Sequence, residues 1–458
     1  MSGLRICCAV LSLSLAACTV GPNYRRPKVS VPPSYRGQAP GSPPQPSAAS
    51  LGDEKWWQVF KDPVLQQLIR TAIEQNYDVR IAATRVLQAQ ANVGIARSQQ
   101  FPTVEAGAGA IGEKFPGFSF VAAEIQGILS WNIDFWGEYR RATEAARAGL
   151  LASEWNRKLV LSTVVADTAS AYFTLRELDL ELEIAKRTLA GRQQSLELTQ
   201  TLERGGAAGL LDVRQAEQLV ETAAEAIPET ERQISIQEDL ISTLLGDNPH
   251  GIPRGAPITE QPLLPEVPAG LPSRLLERRP DIRQAEAQLI AANAEIGVAR
   301  AQFFPSLPLT GGGGLESTHL AGLVTGSNAW NFAAQVTQPV FTAGRLHSNL
   351  RLAREQEQQA LLSYRQTIQQ AFHQVSDALI SYDKFRQFRL HQEKLATAAE
   401  EAAGLSEMRY RGGAASYLEV LTNETNYFAA ELNLARALLN ERLSLVQIYN
   451  ALGGGWQA

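Results

Sequence analysis

Sulfur-containing residues are scarce in this chain, which has three Cys and two Met among 458 residues. Cys7 and Cys8 lie in a stretch typical of a removable signal peptide, so the mature chain keeps only Cys18. It can therefore form neither an internal disulfide nor a cysteine metal site. The five His show no HxxxH or HExxH spacing, and GxSxG is absent. This composition indicates no zinc site, no hydrolytic site and no cofactor.

Positive charge and long apolar runs are lacking as well. Lys plus Arg number 42 against 47 Asp plus Glu, a formal charge of −5. That balance excludes a general nucleic-acid binder, which needs a basic surface. No apolar run reaches the roughly 18 residues that a membrane-spanning helix needs. At 458 residues the chain is too long for one compact core, so we expect at least two structural regions.

The N-terminus carries targeting signals. Arg5 followed by a short apolar stretch predicts a signal peptide over residues 1–17. The sequence LAAC at 15–18 resembles a bacterial lipobox, in which Cys18 is lipidated and becomes the new N-terminus. The alternative is an ordinary cleavage site with a chance Cys. Because Thr19 and not Asp follows, the resemblance to sorted lipoproteins implies the outer membrane.

An internal repeat organises the rest of the chain. ERGGAAGLLDV at 203–213 parallels YRGGAASYLEV at 410–420, and the two segments lie 207 positions apart. VGIARSQQFP at 93–102 likewise parallels IGVARAQFFP at 296–305. Five consecutive identical residues at one shared offset indicate a duplication, so both halves are expected to fold alike.

Each copy is predicted to contain a helix, two short strands, a very long helix, a Gly-Gly turn and another helix. Residues 138–203 and 345–410 contain no Pro, and apolar residues of the second range recur in coiled-coil steps of three and four. Roughly 65 helical residues would reach about 100 Å. Residues 63–100 and 273–303 predict the preceding helices, and Pro228 is expected to bend the helix after the first turn.

Four strands are predicted near residues 102–112, 124–135, 305–314 and 329–341. Apolar and polar residues alternate in the second and fourth, which suits a membrane barrel with a wet lumen. The edge sheet of a soluble domain would show the same alternation, and the lipoprotein signal favours the barrel. Because four strands cannot close a barrel, several chains must share one. If Glu124 and Asp134 point inward, the lumen would favour cations.

Further motifs point to a family. They are CTVGPNYRRP after the lipobox, WW at 56–57, the duplicated FP, RYRGGAASYLEVL at 409–421 and ALGGGW at 451–456. Together they are similar to the TolC superfamily, and more closely to its OprM/NodT type of outer-membrane efflux lipoprotein. The resemblance covers essentially the whole mature chain.

This resemblance implies a mainly α protein with a membrane β-barrel. In a homotrimer, four strands per chain would complete a twelve-stranded barrel above a long α-helical barrel. Such a protein is not an enzyme but a passive, gated duct in the cell outer membrane that extends into the periplasm. The implied partners are a periplasmic adaptor protein, an inner-membrane RND pump and outer-membrane lipid, and the implied cargo is drug-like or other small compounds.

The targeting signals, the Pro-rich stretch and the repeat, together with this resemblance, divide the chain into five parts. A Pro-rich stretch cannot bury a core, so we expect the part after the lipid to be an extended tether. The parts are a signal peptide (1–17), a lipidated N-terminus with the tether (18–52), a first repeat (53–250), an equatorial linker (251–272) and a second repeat (273–458).

The Gly-Gly turns mark, by resemblance, the periplasmic tip that meets the adaptor: Gly205, Gly206, Gly412 and Gly413. Relatives often carry Asp and Arg after the second turn, whereas Thr422 and Thr425 stand here, which puts a charged gate ring in question. Leu418 matches the family's hydrophobic constriction. Glu419 and its repeat mate Asp212 are either acidic gate residues or solvated first-turn carboxylates. We hypothesise that Leu418 narrows the resting pore.

Two other functions fit parts of the sequence. A lipid-anchored periplasmic coiled-coil scaffold without a pore would account for the helices and the tether, but not for the amphipathic strands. A channel for type I protein secretion or metal export would share the whole fold. Met occurs only at 1 and 408, so there is no soft-metal cluster to favour metal export.

Overall fold

The computed structural model describes residues 19–36, 50–261 and 267–457. The predicted signal peptide and the lipidation site Cys18 lie outside the described residues. The chain divides into two compact units. Over the described residues, the first contains Met1–Val29, Thr84–Trp155 and Arg283–Thr367, and the second contains Ser30–Ala83, Asn156–Ile282 and Ile368–Ala458.

A four-stranded antiparallel sheet forms part of the first unit. Its strands are β1 (Thr103–Phe115), β2 (Phe118–Asn132), β3 (Pro308–Ser317) and β4 (Ser327–Ala334). They lie side by side in chain order, so each strand pairs with the one before it. The sheet therefore has β1 at one edge and β4 at the other.

The pairing register sorts the side chains of the sheet onto two different faces. Val104 lies opposite Leu129, whereas Glu124 lies opposite Glu316, and directly paired residues point to the same side. The first face is apolar and also carries Val121, Ile125, Leu309, Leu315, Trp330 and Phe332. The second is largely polar and also carries Glu105, Glu113, Gln126, Ser130, Thr310 and Asn331.

Two strands end earlier than their alternating sequence predicts. β2 ends at Asn132, because the carboxylate of Asp134 turns to accept a hydrogen bond from the backbone N–H of Arg140 at 2.9 Å. β4 ends at Ala334, beyond which Thr337 makes only an isolated bridge to Ser306. Alternation continues in both sequences after the regular pairing has stopped.

The last three helices of each half match in order and length, with 22, 67 and 35 residues. The first half contains α1 (Trp56–Val59), α2 (Pro63–Gln75), α3 (Tyr77–Ser98), α4 (Glu138–Arg204) and α5 (Leu210–Leu244). The second contains α6 (Pro272–Arg278), α7 (Pro280–Ala301), α8 (Arg345–Arg411) and α9 (Tyr417–Ala451). Short 3-10 helices lie at Leu51–Asp53 and Leu320–Thr325. No helix in the described ranges is long and apolar enough to cross a bilayer.

The helices predicted over 63–100 and 273–303 are each broken once. Asn76 separates α2 from α3, with ψ at 131° and its side-chain oxygen accepting from the N–H of Asp78 at 2.8 Å. Arg279 separates α6 from α7, because the following Pro280 disfavours a helical backbone at the residue before it. α5, in contrast, continues through Pro228.

The segment after Cys18, expected to be an extended tether, contributes residues 19–29 to the first unit and residues 30–36 to the second. The N–H of Val20 donates to the carbonyl of Trp136 at 3.0 Å. Gly21 approaches Gly297 so closely that a Cβ on Gly21 would lie 2.5 Å from its Cα. Arg26 forms an ion pair with Glu286 at 2.9 Å. Tyr35, farther along the segment, is 4% exposed, so the segment is held by side-chain and glycine contacts that its composition did not reveal.

Candidate functional site

Both Gly-Gly turns end a 67-residue helix in the same way. Gly206 and Gly413 adopt the left-handed backbone conformation, with φ at +75° and +69°. The N–H of Ala207 donates to Leu202 and that of Ala414 to Arg409, both at 2.8 Å, which satisfies carbonyls left open at the helix end. Glycine is required at these two positions because a Cβ would strain the left-handed backbone.

The turn at Gly205 and Gly206, here called the first tip, is followed by a helix cap and by exposed leucines. The turn at Gly412 and Gly413 is called the second tip. The carboxylate of Asp212 accepts from the N–H of Gly209 at 3.0 Å, so this side chain caps the start of α5. Leu210 and Leu211 remain 60% and 69% exposed. Asp212 thus caps a helix, while its role at a gate stays a prediction.

The second tip has an aromatic interior. Tyr417 is buried, with its ring centroid 5.2 Å from that of Tyr410, and it packs with Ala216 and Val420. Burial raises the pKa of the Tyr417 phenol, which therefore stays neutral. The next residue, Leu418, is 58% exposed. One helical position thus anchors the tip, and the next is free to face a pore.

The polar gate candidates are engaged within the chain. The hydroxyls of Thr422 and Thr425 donate back to carbonyls of their own helix at 2.9 and 2.7 Å. Glu419 lies 3.4 Å from the guanidinium of Arg409 across the turn. Leu418, Thr422 and Thr425 share one exposed stripe of α9, since they are spaced four and three residues apart. That stripe contains no charge.

Arg192 is a buried residue of this region that the sequence did not reveal. Its guanidinium donates to the carbonyl of Leu219 at 2.8 Å and to that of Glu424 at 3.4 Å, and lies 5.0 Å from the ring centroid of Phe428. It therefore links α4 to both α5 and α9. Burial lowers the pKa of this guanidinium. The internal repeat does not single out Arg192 either, because Ala399 occupies the equivalent position in the second copy.

A buried carboxylate pair also lies on α4. Glu177 and Glu181 are 4% and 8% exposed, and Arg436 contacts only Glu181, at 3.1 Å. Burial, followed by the neighbouring Glu181, raises the pKa of Glu177 to about 8. In the sequence these residues lie in ELDLELE, a run typical of a solvated helix face, so nothing predicted their burial.

The polar face of the sheet collects carboxylates. Glu124 accepts from the side-chain amide of Gln126 at 3.1 Å and lies directly opposite Glu316. Glu105 and Glu113 lie on the same face. Asp134, predicted to accompany Glu124, lies beyond β2 and pairs with Arg140. Within the described ranges, no three His, Cys, Asp or Glu side chains converge as a metal site would require.

Comparison with known proteins identifies the family. The Outer membrane efflux protein family model matches residues 68–247 and 271–454. The chain is 35% identical to the toluene efflux pump outer membrane protein TtgC of Pseudomonas putida, over 98% of this chain and 95% of that protein. It is 32% identical to the cation efflux system protein CusC of Escherichia coli, over 100% of both.

Solved structures agree with this assignment. The open-state MtrE outer membrane channel of Neisseria gonorrhoeae is 31% identical, with a TM-score of 0.87 over 96% of this chain and 99% of that chain. The resemblance drawn from the sequence motifs is thereby confirmed, as are the TolC-like fold and the outer-membrane location. The relatives are channel proteins and not enzymes. The chain belongs to the outer membrane efflux protein family and is an outer-membrane efflux channel.

Proposed function

We propose that three copies of this chain form the exit duct of a tripartite efflux system. The two-faced sheet with open edges at β1 and β4 carries the proposal. A sheet in a membrane must close to pair its backbone groups, and four strands from each of three chains would close a twelve-stranded barrel. The apolar face would then contact lipid and the polar face would line the lumen.

The charge of that lumen follows from the register. Three copies each of Glu105, Glu113, Glu124 and Glu316 would face it, and no Lys or Arg of the four strands shares their face. Rings of carboxylates favour cations. We therefore expect cationic and neutral compounds to pass more readily than anionic ones, with Glu124 and not Asp134 contributing.

A periplasmic adaptor and an inner-membrane RND pump are the proposed partners, with the tips at Gly205–Gly206 and Gly412–Gly413 as the adaptor contact. Exposed apolar side chains at the tips support this, among them Leu210, Leu211 and Met408. Drug-like or other small compounds are the proposed cargo, as the toluene-exporting relative suggests. The cation efflux relative keeps metal export open as the second candidate.

The proposed domain plan and anchor complete this assignment. Lipidation of Cys18 would hold the N-terminus at the membrane, and the chain would divide into a first repeat (53–250), a linker (251–272) and a second repeat (273–458). The two ranges matched by the family model fall within or close to these repeats, which supports the plan. No step of the mechanism is chemical: the duct only opens and closes.

The proposed gate is steric and apolar. Thr422 and Thr425 carry no charge, Glu419 is paired with Arg409, and Asp212 is a helix cap. Leu210 is exposed after the first turn, and the repeat mates Leu211 and Leu418 are exposed apolar residues at matching positions after the two turns. Three copies of Leu211 and Leu418 would narrow the pore until adaptor contact spreads the tips.

Two measurements test the duct and its gate. Light scattering of the detergent-extracted particle from purified outer membranes should give the mass of three mature chains, and a monomer would contradict the shared barrel. In planar bilayers, Leu418→Ala should raise the conductance of the trimer, because a larger opening remains. Leu405→Ala, which removes an equally exposed leucine of α8, is the control. Unchanged conductance would remove Leu418 from the gate.

A further inference from the structure

A cavity of about 360 Å³ lies in the first unit where the sheet ends and the long helices begin. Asn132, the last residue of β2, forms one side of it. Glu138, the first residue of α4, and Arg345, the first residue of α8, form others. Trp136 and Phe304 also line it, with their rings stacked 4.6 Å apart. The cavity therefore joins polar, charged and aromatic walls.

One part of the cavity wall has hydrogen-bond acceptors without enough donors. The side-chain amide of Asn132 donates to the hydroxyl of Tyr139 at 2.9 Å, but its Oδ1 atom is buried and has no partner in the described parts of the chain. Within the described residues, the carboxylate of Glu138 accepts one hydrogen bond, from Gln302 at 3.2 Å. Burial raises the pKa of Glu138, and the neighbouring Asp134 acts in the same direction.

The neighbouring carboxylate does not share this deficit. Asp134 accepts hydrogen bonds from the backbone N–H and the guanidinium of Arg140 at 2.9 and 3.3 Å. The free acceptors at Glu138 and Asn132 therefore suit a compact cationic donor such as an ammonium group, which offers several N–H donors at once.

Arg345 gives the cavity a positive side. Across residues 19–36, 50–261 and 267–457, its guanidinium forms no ion pair or side-chain hydrogen bond. It begins a 67-residue helix that has no acidic residue in its first turn. The positive end of the helix and the guanidinium both favour an anion, and phosphate is an anion that arginine binds through two parallel hydrogen bonds.

The cavity also carries markers of a membrane interface. Tryptophan and other aromatic residues concentrate at the level of lipid headgroups. The N–H of Val20 donates to the carbonyl of Trp136, so the lipidation site Cys18 lies two residues along the chain from this wall. Placing the headgroups at this level rests on the proposed function, in which the sheet spans the outer membrane.

We propose that this cavity binds the phosphoethanolamine headgroup of a membrane phospholipid. The ammonium group is held by the carboxylate of Glu138 and the side-chain oxygen of Asn132, and the phosphate is held by the guanidinium of Arg345. A bound lipid would fix the start of both long helices to the inner leaflet.

Native mass spectrometry of the full-length, lipid-modified protein in detergent tests the proposal. The covalent lipid is kept, and bound phospholipid is removed before the protein is exposed to phosphatidylethanolamine or phosphatidylglycerol of equal chain length. We expect selective retention of phosphatidylethanolamine. Glu138→Gln and Arg345→Met should each weaken retention about tenfold, the scale of one lost charge-assisted hydrogen bond. Arg351→Met, which removes another exposed arginine of α8 outside the cavity, should leave it unchanged.

Further measurements distinguish a failure of this inference from a failure of the proposed function. Equal retention of both lipids, or variants that bind like the wild type, would overturn the headgroup site. Soluble O-phosphoethanolamine is the second probe: if it binds tightly while the lipid is not retained, the lipid is not the ligand. Conductance and particle mass are measured on the same preparation. A conducting trimer that retains no phosphatidylethanolamine fails this inference alone, whereas a protein that does not insert fails the proposed function.

Discussion

The hairpins α4–α5 and α8–α9 derive from one duplicated sequence and differ most just beneath their turns. Both turns keep RGGAA, both place their second glycine in the left-handed region, and both make the same closing hydrogen bonds. Yet Tyr417 is 1% exposed, whereas Leu210, its repeat mate, is 60% exposed. The backbone requirement has kept the turns alike, while the packing below them has diverged.

The buried charged residues of the two hairpins have diverged as well. The first hairpin carries the buried Arg192 and the buried pair Glu177 and Glu181, whose counterparts in the second are Ala399, Lys384 and Phe388. Buried charges are costly to hold without partners. The second hairpin buries its charges elsewhere, at Glu441, which pairs with Arg389, and at Arg442. The two hairpins therefore hold buried charge at different positions. The comparison can be tested by changing one residue of each matched pair.

The largest effect expected at the two tips is at the aromatic anchor. Tyr417→Ala should destabilise the second tip by about 3 kcal/mol, because it removes a fully buried ring from its contact with Tyr410. Leu210→Ala, at the matching position, should change stability by less than about 0.5 kcal/mol since the side chain is exposed. Hydrogen exchange of the amides near each turn measures both. Equal loss of protection at the two tips would contradict the asymmetry.

The next prediction concerns the buried carboxyl group of Glu177 and the pH dependence of stability. Folding raises the pKa of Glu177 above its ordinary value of 4.5 to about 8, so ionisation is harder in the folded protein than in the unfolded chain. Stability should therefore fall as pH rises from about 4.5 towards 8, by up to about 1.4 kcal/mol per pH unit. Arg436 opposes the effect only partly, since its contact is with Glu181.

Glu177→Gln should flatten this part of the stability profile, because the amide does not ionise. The matched control is Lys384→Gln on α8, whose side chain is exposed and whose loss should leave the slope in place. Denaturant titrations between pH 4.5 and 8 measure both variants. A slope that survives Glu177→Gln would assign the pH dependence to another group.

Sequence predicted the long helices almost to the residue and their turns correctly. The expected ranges 138–203 and 345–410 agree closely with α4 and α8. The absence of Pro permits an unbroken helix over each range, and the paired Gly marks its C-terminal end. The breaks at Asn76 and Arg279 were missed, although Pro280 was a visible signal for the second. Arg192 and Glu177 could not be found, since their burial depends on helices distant in sequence.

A smaller effect should separate the two glycines within each turn. Gly413→Ala should cost about 1–2 kcal/mol, because an L side chain strains the left-handed backbone even though nothing lies within 4 Å of the new Cβ. Gly412→Ala should be nearly neutral, since its φ is ordinary and the nearest atom would lie at 3.5 Å. Gly206→Ala and Gly205→Ala should repeat this contrast. Thermal unfolding of all four variants checks it, and a costly Gly412→Ala would mean that the turn is packed against something else.

The smallest effect concerns the acid that follows each turn. Glu419 and Arg409 are 40% and 58% exposed at their side chains, so Glu419→Gln should cost less than about 1 kcal/mol. Asp212→Ala should cost about as much, but through a lost cap hydrogen bond at the start of α5. Salt separates the two causes, because ions screen an exposed pair and leave a short hydrogen bond to a backbone N–H largely intact. The cost of Glu419→Gln should therefore vanish when unfolding is measured at about 1 M salt, where the screening length is only about 3 Å, while the cost of Asp212→Ala should persist. If both costs vanish together, Asp212 acts through its charge, and the two tips are electrostatically alike after all.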